Sequence, residues 1–148
     1  MVDVNTDKDS FKSVLYSYNL ETNEWNIPKT NGIEPQRRRE INGVVNNETG
    51  KVYIFGGVTD QSTGSQSIII FNDMNIFDTV SLTWSKGSII NPPLPRVDYT
   101  ATLLPNGIIV FIGGREQPGA NLDWRDVNMG QVNELVYSFV KCEPKGLI

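Results

Sequence analysis

Histidine is absent from these 148 residues and cysteine occurs once, at Cys142, so the usual ligands of zinc and haem iron are missing. A Ser-His-Asp triad is excluded for the same reason, and acid/base chemistry would have to use carboxylates. Asp60, Asp98, Asp123 and Asp126 are available, but no spacing singles out a pair, and they read as solvated loop residues. The segment Asp3-Val4-Asn5-Thr6-Asp7-Lys8-Asp9 starts like a calcium loop. Lys8 then stands where the sharp turn needs glycine, and Val14 where a bidentate glutamate is needed, so the ligand set is broken. The expectation is a chain with no catalytic residues, no metal and no cofactor.

Recognition chemistry is better represented. The loop 115–132 carries Arg115, Trp124, Arg125 and Asp126, and tryptophan beside arginine is the composition enriched at interface hot spots. Trp124 has an alternative reading, in which it folds back to cover the end of its own structural unit. Thirteen Lys and Arg against seventeen Asp and Glu give a net charge of −4, which argues against nucleic acid as a partner. The one basic cluster, Arg37-Arg38-Arg39, reads as a solvated or locally paired patch. Pro92-Pro93-Leu94-Pro95 has a PxxP spacing, but its place between repeats favours a rigid connector over an SH3 ligand. Asn47-Glu48-Thr49 fits the glycosylation acceptor pattern, which is too short to carry an assignment.

The elements that must position these residues are repeated. Gly50-Lys51-Val52-Tyr53-Ile54-Phe55-Gly56-Gly57 recurs as Gly107-Ile108-Ile109-Val110-Phe111-Ile112-Gly113-Gly114, 57 positions on, and Trp25 recurs as Trp84, 59 positions on. In the middle period an alternating run around Ile41, Gly43 and Val45 and a turn at 46–50 lead into Lys51–Phe55, which reads as a hairpin. A third strand lies within Ser67–Asp78 and a fourth covers Thr83–Lys86. The next period repeats this order with strands at Tyr99–Leu104, Ile108–Ile112 and Glu134–Val140. Val14–Asn19 parallels Leu135–Val140 at a spacing of 121, but the position matching Trp25 is then Gly146, so the last unit lacks its tryptophan. Tyr16, Tyr18, Tyr53, Phe55, Phe77 and Phe111 read as packing residues between units, and Trp25 and Trp84 as buried outer-strand residues.

A diglycine after an apolar strand, followed by Tyr18-Asn19-Leu20-Glu21-Thr22-Asn23-Glu24-Trp25 or Phe77-Asp78-Thr79-Val80-Ser81-Leu82-Thr83-Trp84, resembles the kelch repeat, whose period is about 50 residues. The resemblance implies an all-β, kelch-type β-propeller fragment of antiparallel four-stranded blades. It divides the chain into a polar segment 1–12, the last two strands of a blade at 13–27, a complete blade at 36–86, a third blade without a clear fourth strand at 96–141, and a tail 142–148. A closed propeller has about 4 to 8 blades, so the ring is incomplete and self-association through open blade edges is expected.

With antiparallel strands, the loops after second and fourth strands share one face. These are 28–36, 58–66, 87–95 and 115–132, far longer than the turns on the other face. Long loops on a rigid scaffold are where binding resides. Arg38, Asp60, Arg96, Arg115, Trp124 and Arg125 are the expected partner-binding residues, with Trp25, Gly56, Gly57, Trp84, Gly113 and Gly114 as the structural signature. The resemblance implies a non-catalytic protein-interaction module. The competing reading is a scaffold fragment of a galactose-oxidase-like enzyme or carbohydrate-binding propeller whose active groups lie on other blades. Met1–Lys12 is polar where a signal peptide needs an apolar run, and no stretch reaches 18 apolar residues, so the expected location is cytoplasmic with no membrane span.

Overall fold

A computed structural model describes residues 13–87, 93–118, 123–127 and 140–141. These residues form several sheets, none of them closed, with one short 3-10 turn at Gln61–Thr63 and no α-helix. Among them no helix is long and apolar enough to cross a membrane.

The first hairpin joins β1 (Ser17–Asn19) to β2 (Glu24–Asn26), with Tyr18 opposite Trp25. Its turn is set by Asn19, whose Oδ1 accepts from the backbone N–H groups of Glu21 and Thr22 at 2.8 and 3.1 Å. The same device recurs at Asp78, which accepts from Val80 and Ser81, both at 2.9 Å. Short side-chain acceptors of this kind replace backbone partners in a tight turn.

The complete blade contains β4 (Gly43–Asn46), β5 (Lys51–Phe55), β8 (Met74–Asp78) and β9 (Thr83–Lys86), paired antiparallel in that order. A fifth strand, β3 (Asn31–Gly32), adds to β9 in parallel. The linker 28–36, expected as a free loop, is therefore partly a strand on the outer edge of this blade. The expected third strand is also divided. Ile69–Ile70 (β7) leaves the blade to pair with β6 (Val58–Thr59), and Met74–Asp78 alone joins the ladder.

The third blade contains β11 (Thr100–Leu103) and β12 (Ile108–Ile112), with Val140–Lys141 (β15) against the far edge of β12. The remainder of the expected strand, 134–139, lies outside the described residues. A smaller sheet beside it runs from β10 (Arg96–Val97) through β13 (Arg115–Glu116) to β14 (Arg125–Asp126).

The two diglycines end equivalent strands, and the second glycine of each has left-handed φ, +86° at Gly57 and +88° at Gly114. A Cβ there would press on the Arg39 carbonyl at 3.0 Å or on Tyr99 at 3.0 Å, so both rotation and close approach require glycine.

The core lies between the second and third blades. Val44, Tyr53, Phe55 and Met74 from one meet Tyr99, Ile109 and Phe111 from the other. Phe55 and Phe111 ring centroids are 5.0 Å apart, and Tyr99 sits edge-on to Phe111 at 5.4 Å. Full burial of such side chains stabilises by about 1.5–3 kcal/mol each.

The first hairpin departs from expectation. Trp84 is 5% exposed, but Trp25 is 70% exposed, and Tyr16 and Tyr18 are also exposed. The Tyr18–Trp25 ring pair at 5.1 Å repeats the Phe77–Trp84 pair at 4.6 Å. Pairing within the hairpin is thus the same in both repeats, while among the described residues no second surface covers Trp25 as one covers Trp84.

Candidate functional site

Two small hairpins rise from the diglycine ends of neighbouring blades. β6 and β7 form one, β13 and β14 the other. Each is anchored by the entry to a first strand: Arg39 bridges Val58, and Val97 pairs with Arg115. Among the described residues the opposite end of the blades carries tight turns, with Thr79 N–H donating to the Gly50 carbonyl at 3.0 Å.

A strip of charge joins the two hairpins. Asp60 caps the 3-10 turn, accepting from Ser62 N–H at 2.9 Å, and accepts from Arg39 Nη2 at 2.5 Å. Arg39 also contacts Glu40. Glu40 lies 3.7 Å from Arg115, which donates to Asp98 at 2.6 Å. Arg115 stands over the Trp124 ring, 5.5 Å from its centroid, within cation–π range. The Arg39 hydrogen bond, reinforced by Ser62, holds the Asp60 carboxyl down at about 2. The same contact raises the Arg39 pKa. A carboxylate so firmly ionised is a hydrogen-bond acceptor and a poor general base at neutral pH.

The structure divides the expected partner-binding residues into two groups. Asp60, Arg115, Trp124 and Arg125 lie on this loop end, with Trp124 37% exposed. Arg38 and Arg96 do not present free side chains. Arg38 is 4% exposed, donates to Asp73 Oδ1 at 2.5 Å and to the Gly56 carbonyl at 2.8 Å, and stacks on Phe71 at 3.9 Å. Arg96 is 1% exposed and donates through Nη2 to Glu116 Oε2 at 3.2 Å. Its Nε and Nη1 have no hydrogen-bond partner among the described residues. Both arginines lie just before a first strand, and a buried guanidinium demands a carboxylate. The Arg38 pairing is also not local, since Asp73 is 35 residues away.

Glu40 and Glu116 were not singled out by their sequence. Glu116 joins the interior to the surface by accepting from buried Arg96 and from exposed Arg125, whose Nη2 is 2.7 Å away. One signal was available: Glu40 and Asp98 are 58 positions apart, close to the repeat period, and both adopt left-handed φ, +57° and +54°. Among the described residues no group of three His, Cys, Asp or Glu side chains is placed to hold a metal ion.

One four-stranded antiparallel blade packed against a neighbouring antiparallel sheet, with irregular hairpins gathered at one end, defines a segment of a β-propeller. The chain belongs to the kelch-repeat family: the KLHDC2/KLHL20/DRC7 Kelch-repeats domain matches residues 4–146. It is 33% identical to Kelch domain-containing protein 3 of Rattus norvegicus and of Homo sapiens over 114 residues, 74% of this chain and 27% of each relative. Host cell factor 1 of Homo sapiens is 34% identical over 94 residues, 60% of this chain and 4% of that protein. The chain therefore spans about a quarter of the Kelch domain-containing protein 3 relatives.

Proposed function

We propose that the chain is a non-catalytic protein-interaction module that binds a protein partner through the loop end of its second and third blades. The carrying observation is the continuous strip from Asp60 through Arg39, Glu40 and Arg115 to Asp98, with Trp124 alongside. Two rigidly anchored hairpins present an aromatic anchor within a polar, hydrogen-bonding rim, which is the anatomy of a recognition surface. The Asp60 carboxylate, held ionised by Arg39, favours binding over acid/base chemistry there. Kelch-family membership supports the same reading.

Site-specific photocrosslinking tests it. Benzoylphenylalanine replaces Trp124 in one protein and Val80, exposed on the turn at the opposite end, in another. Discrete adducts at position 124 that disappear on Arg115→Glu are expected. Equal labelling at both positions, or labelling confined to position 80, would overturn the assignment.

A further inference from the structure

We propose that the outer edge of β2 is a docking site for an extended inter-blade linker from a further kelch repeat, pairing parallel to β2 with a glycine opposite Trp25. The structure contains the template for this contact. On the equivalent hairpin, β3 runs parallel to β9, with Asn31 opposite Thr83 and Gly32 opposite Trp84. The Asn31 N–H donates to the Leu82 carbonyl at 2.9 Å. Gly32 has φ +79°, and a Cβ on it would overlap the Trp84 carbonyl oxygen. Only glycine fits against the strand backbone at that point.

The receiving half of this contact is duplicated in β1–β2. Tyr18 opposes Trp25 as Phe77 opposes Trp84. Asn23 has φ +57° where Leu82 has φ +50°, so its carbonyl is the counterpart of the one that accepts from Asn31. What differs, among the described residues, is occupancy of the edge: Trp84 is buried beside its linker, while β2 pairs only with β1 and Trp25 is 70% exposed, along with exposed Ile27 and Tyr18. An unpaired strand edge bordered by aromatic surface recruits another strand. The linker of a further repeat is the occupant whose geometry is already seen once in this chain. In Kelch domain-containing protein 3 the matched stretch is 27% of the protein, so repeats of this kind sit beside further chain. The inference rests on the internal repeat and is independent of the partner-binding surface.

The test titrates the whole chain with a synthetic peptide of its own linker, Pro-Lys-Thr-Asn-Gly-Ile-Glu-Pro-Gln (residues 28–36), observed by NMR. Expected are saturable shifts of the Trp25 indole and of the Asn23 and Trp25 amides, with Trp84 unchanged. The peptide carrying Gly32→Ala should bind at least about tenfold more weakly. Trp25→Ala in the chain should abolish the shifts at Asn23, and Trp25→Phe should retain them. No shift at Trp25 or Asn23 with about 1 mM peptide would overturn the proposal. So would equal binding of the Gly32→Ala peptide. Concentration-dependent dimerisation that already protects Trp25 without peptide would assign the edge to a second copy and overturn the stated occupant.

Discussion

The Tyr99 hydroxyl, from the first strand of the third blade, donates to the carbonyl of Phe55, which ends the second strand of the preceding blade, while the two rings meet edge-on at 6.4 Å. One side chain thus supplies both a polar and an apolar tie across the interface. Its burial raises the hydroxyl pKa, so it remains a donor at neutral pH. Two main-chain bonds run in parallel with it, Gly57 N–H to the Arg96 carbonyl at 2.9 Å and Asp98 N–H to the Glu40 carbonyl at 3.3 Å.

Tyr99→Phe keeps the ring and leaves the buried Phe55 carbonyl without this donor. A loss of about 1–3 kcal/mol is expected in urea unfolding. A change within about 0.5 kcal/mol would show that the hydroxyl bond adds nothing to the ring packing and main-chain bonds that join the blades.

The two repeat tryptophans should behave oppositely. Trp84→Ala opens a cavity between β9 and its neighbours and should destabilise by about 3–5 kcal/mol. Trp25→Ala, at an exposed position, should change stability by about 0.5 kcal/mol or less. Equal losses in matched denaturant titrations would mean that Trp25 is covered in solution.

Among the described residues Glu116 is the sole hydrogen-bond partner of the buried Arg96 guanidinium. Glu116→Ala should therefore cost about 3–5 kcal/mol, because it strands a buried charge. The double variant Arg96→Met, Glu116→Leu should recover most of that loss. Failure of the double variant to recover would trace the effect to the Glu116–Arg125 contact at the surface.

Asp73 offers a pH test. Partial burial alone would push its carboxyl up, but hydrogen bonds from Arg38 and Lys86 bring it down to about 2, below its ordinary 3.8. Its folded pKa is depressed, so its stabilisation is complete above about pH 4 and is lost as pH falls toward 2. Asp73→Asn should flatten the acid limb of a stability-versus-pH curve over that window and leave its slope between pH 6 and 8 unchanged. A variant whose acid limb matches the parent would remove Asp73 from the pH response.

The chain's local pattern was sufficient for its architecture. The diglycine period, the Asn19 and Asp78 turns, and the phase of Trp25 and Trp84 depend on contacts within one hairpin, so they repeat wherever the local sequence repeats. The same phase placed the long loops at one end and brought Asp60, Arg115, Trp124 and Arg125 to it. Tertiary packing decided what surrounds each repeated position. Trp25 and Trp84 sit in the same register, yet among the described residues only Trp84 has a linker on its strand edge. Arg38 and Arg96 carry the charge of surface residues, yet each guanidinium is buried against a carboxylate far along its own repeat, Asp73 and Glu116, 35 and 20 positions on. Burial and ion pairing depend on groups that are distant along the chain, and the local sequence of one hairpin does not encode them.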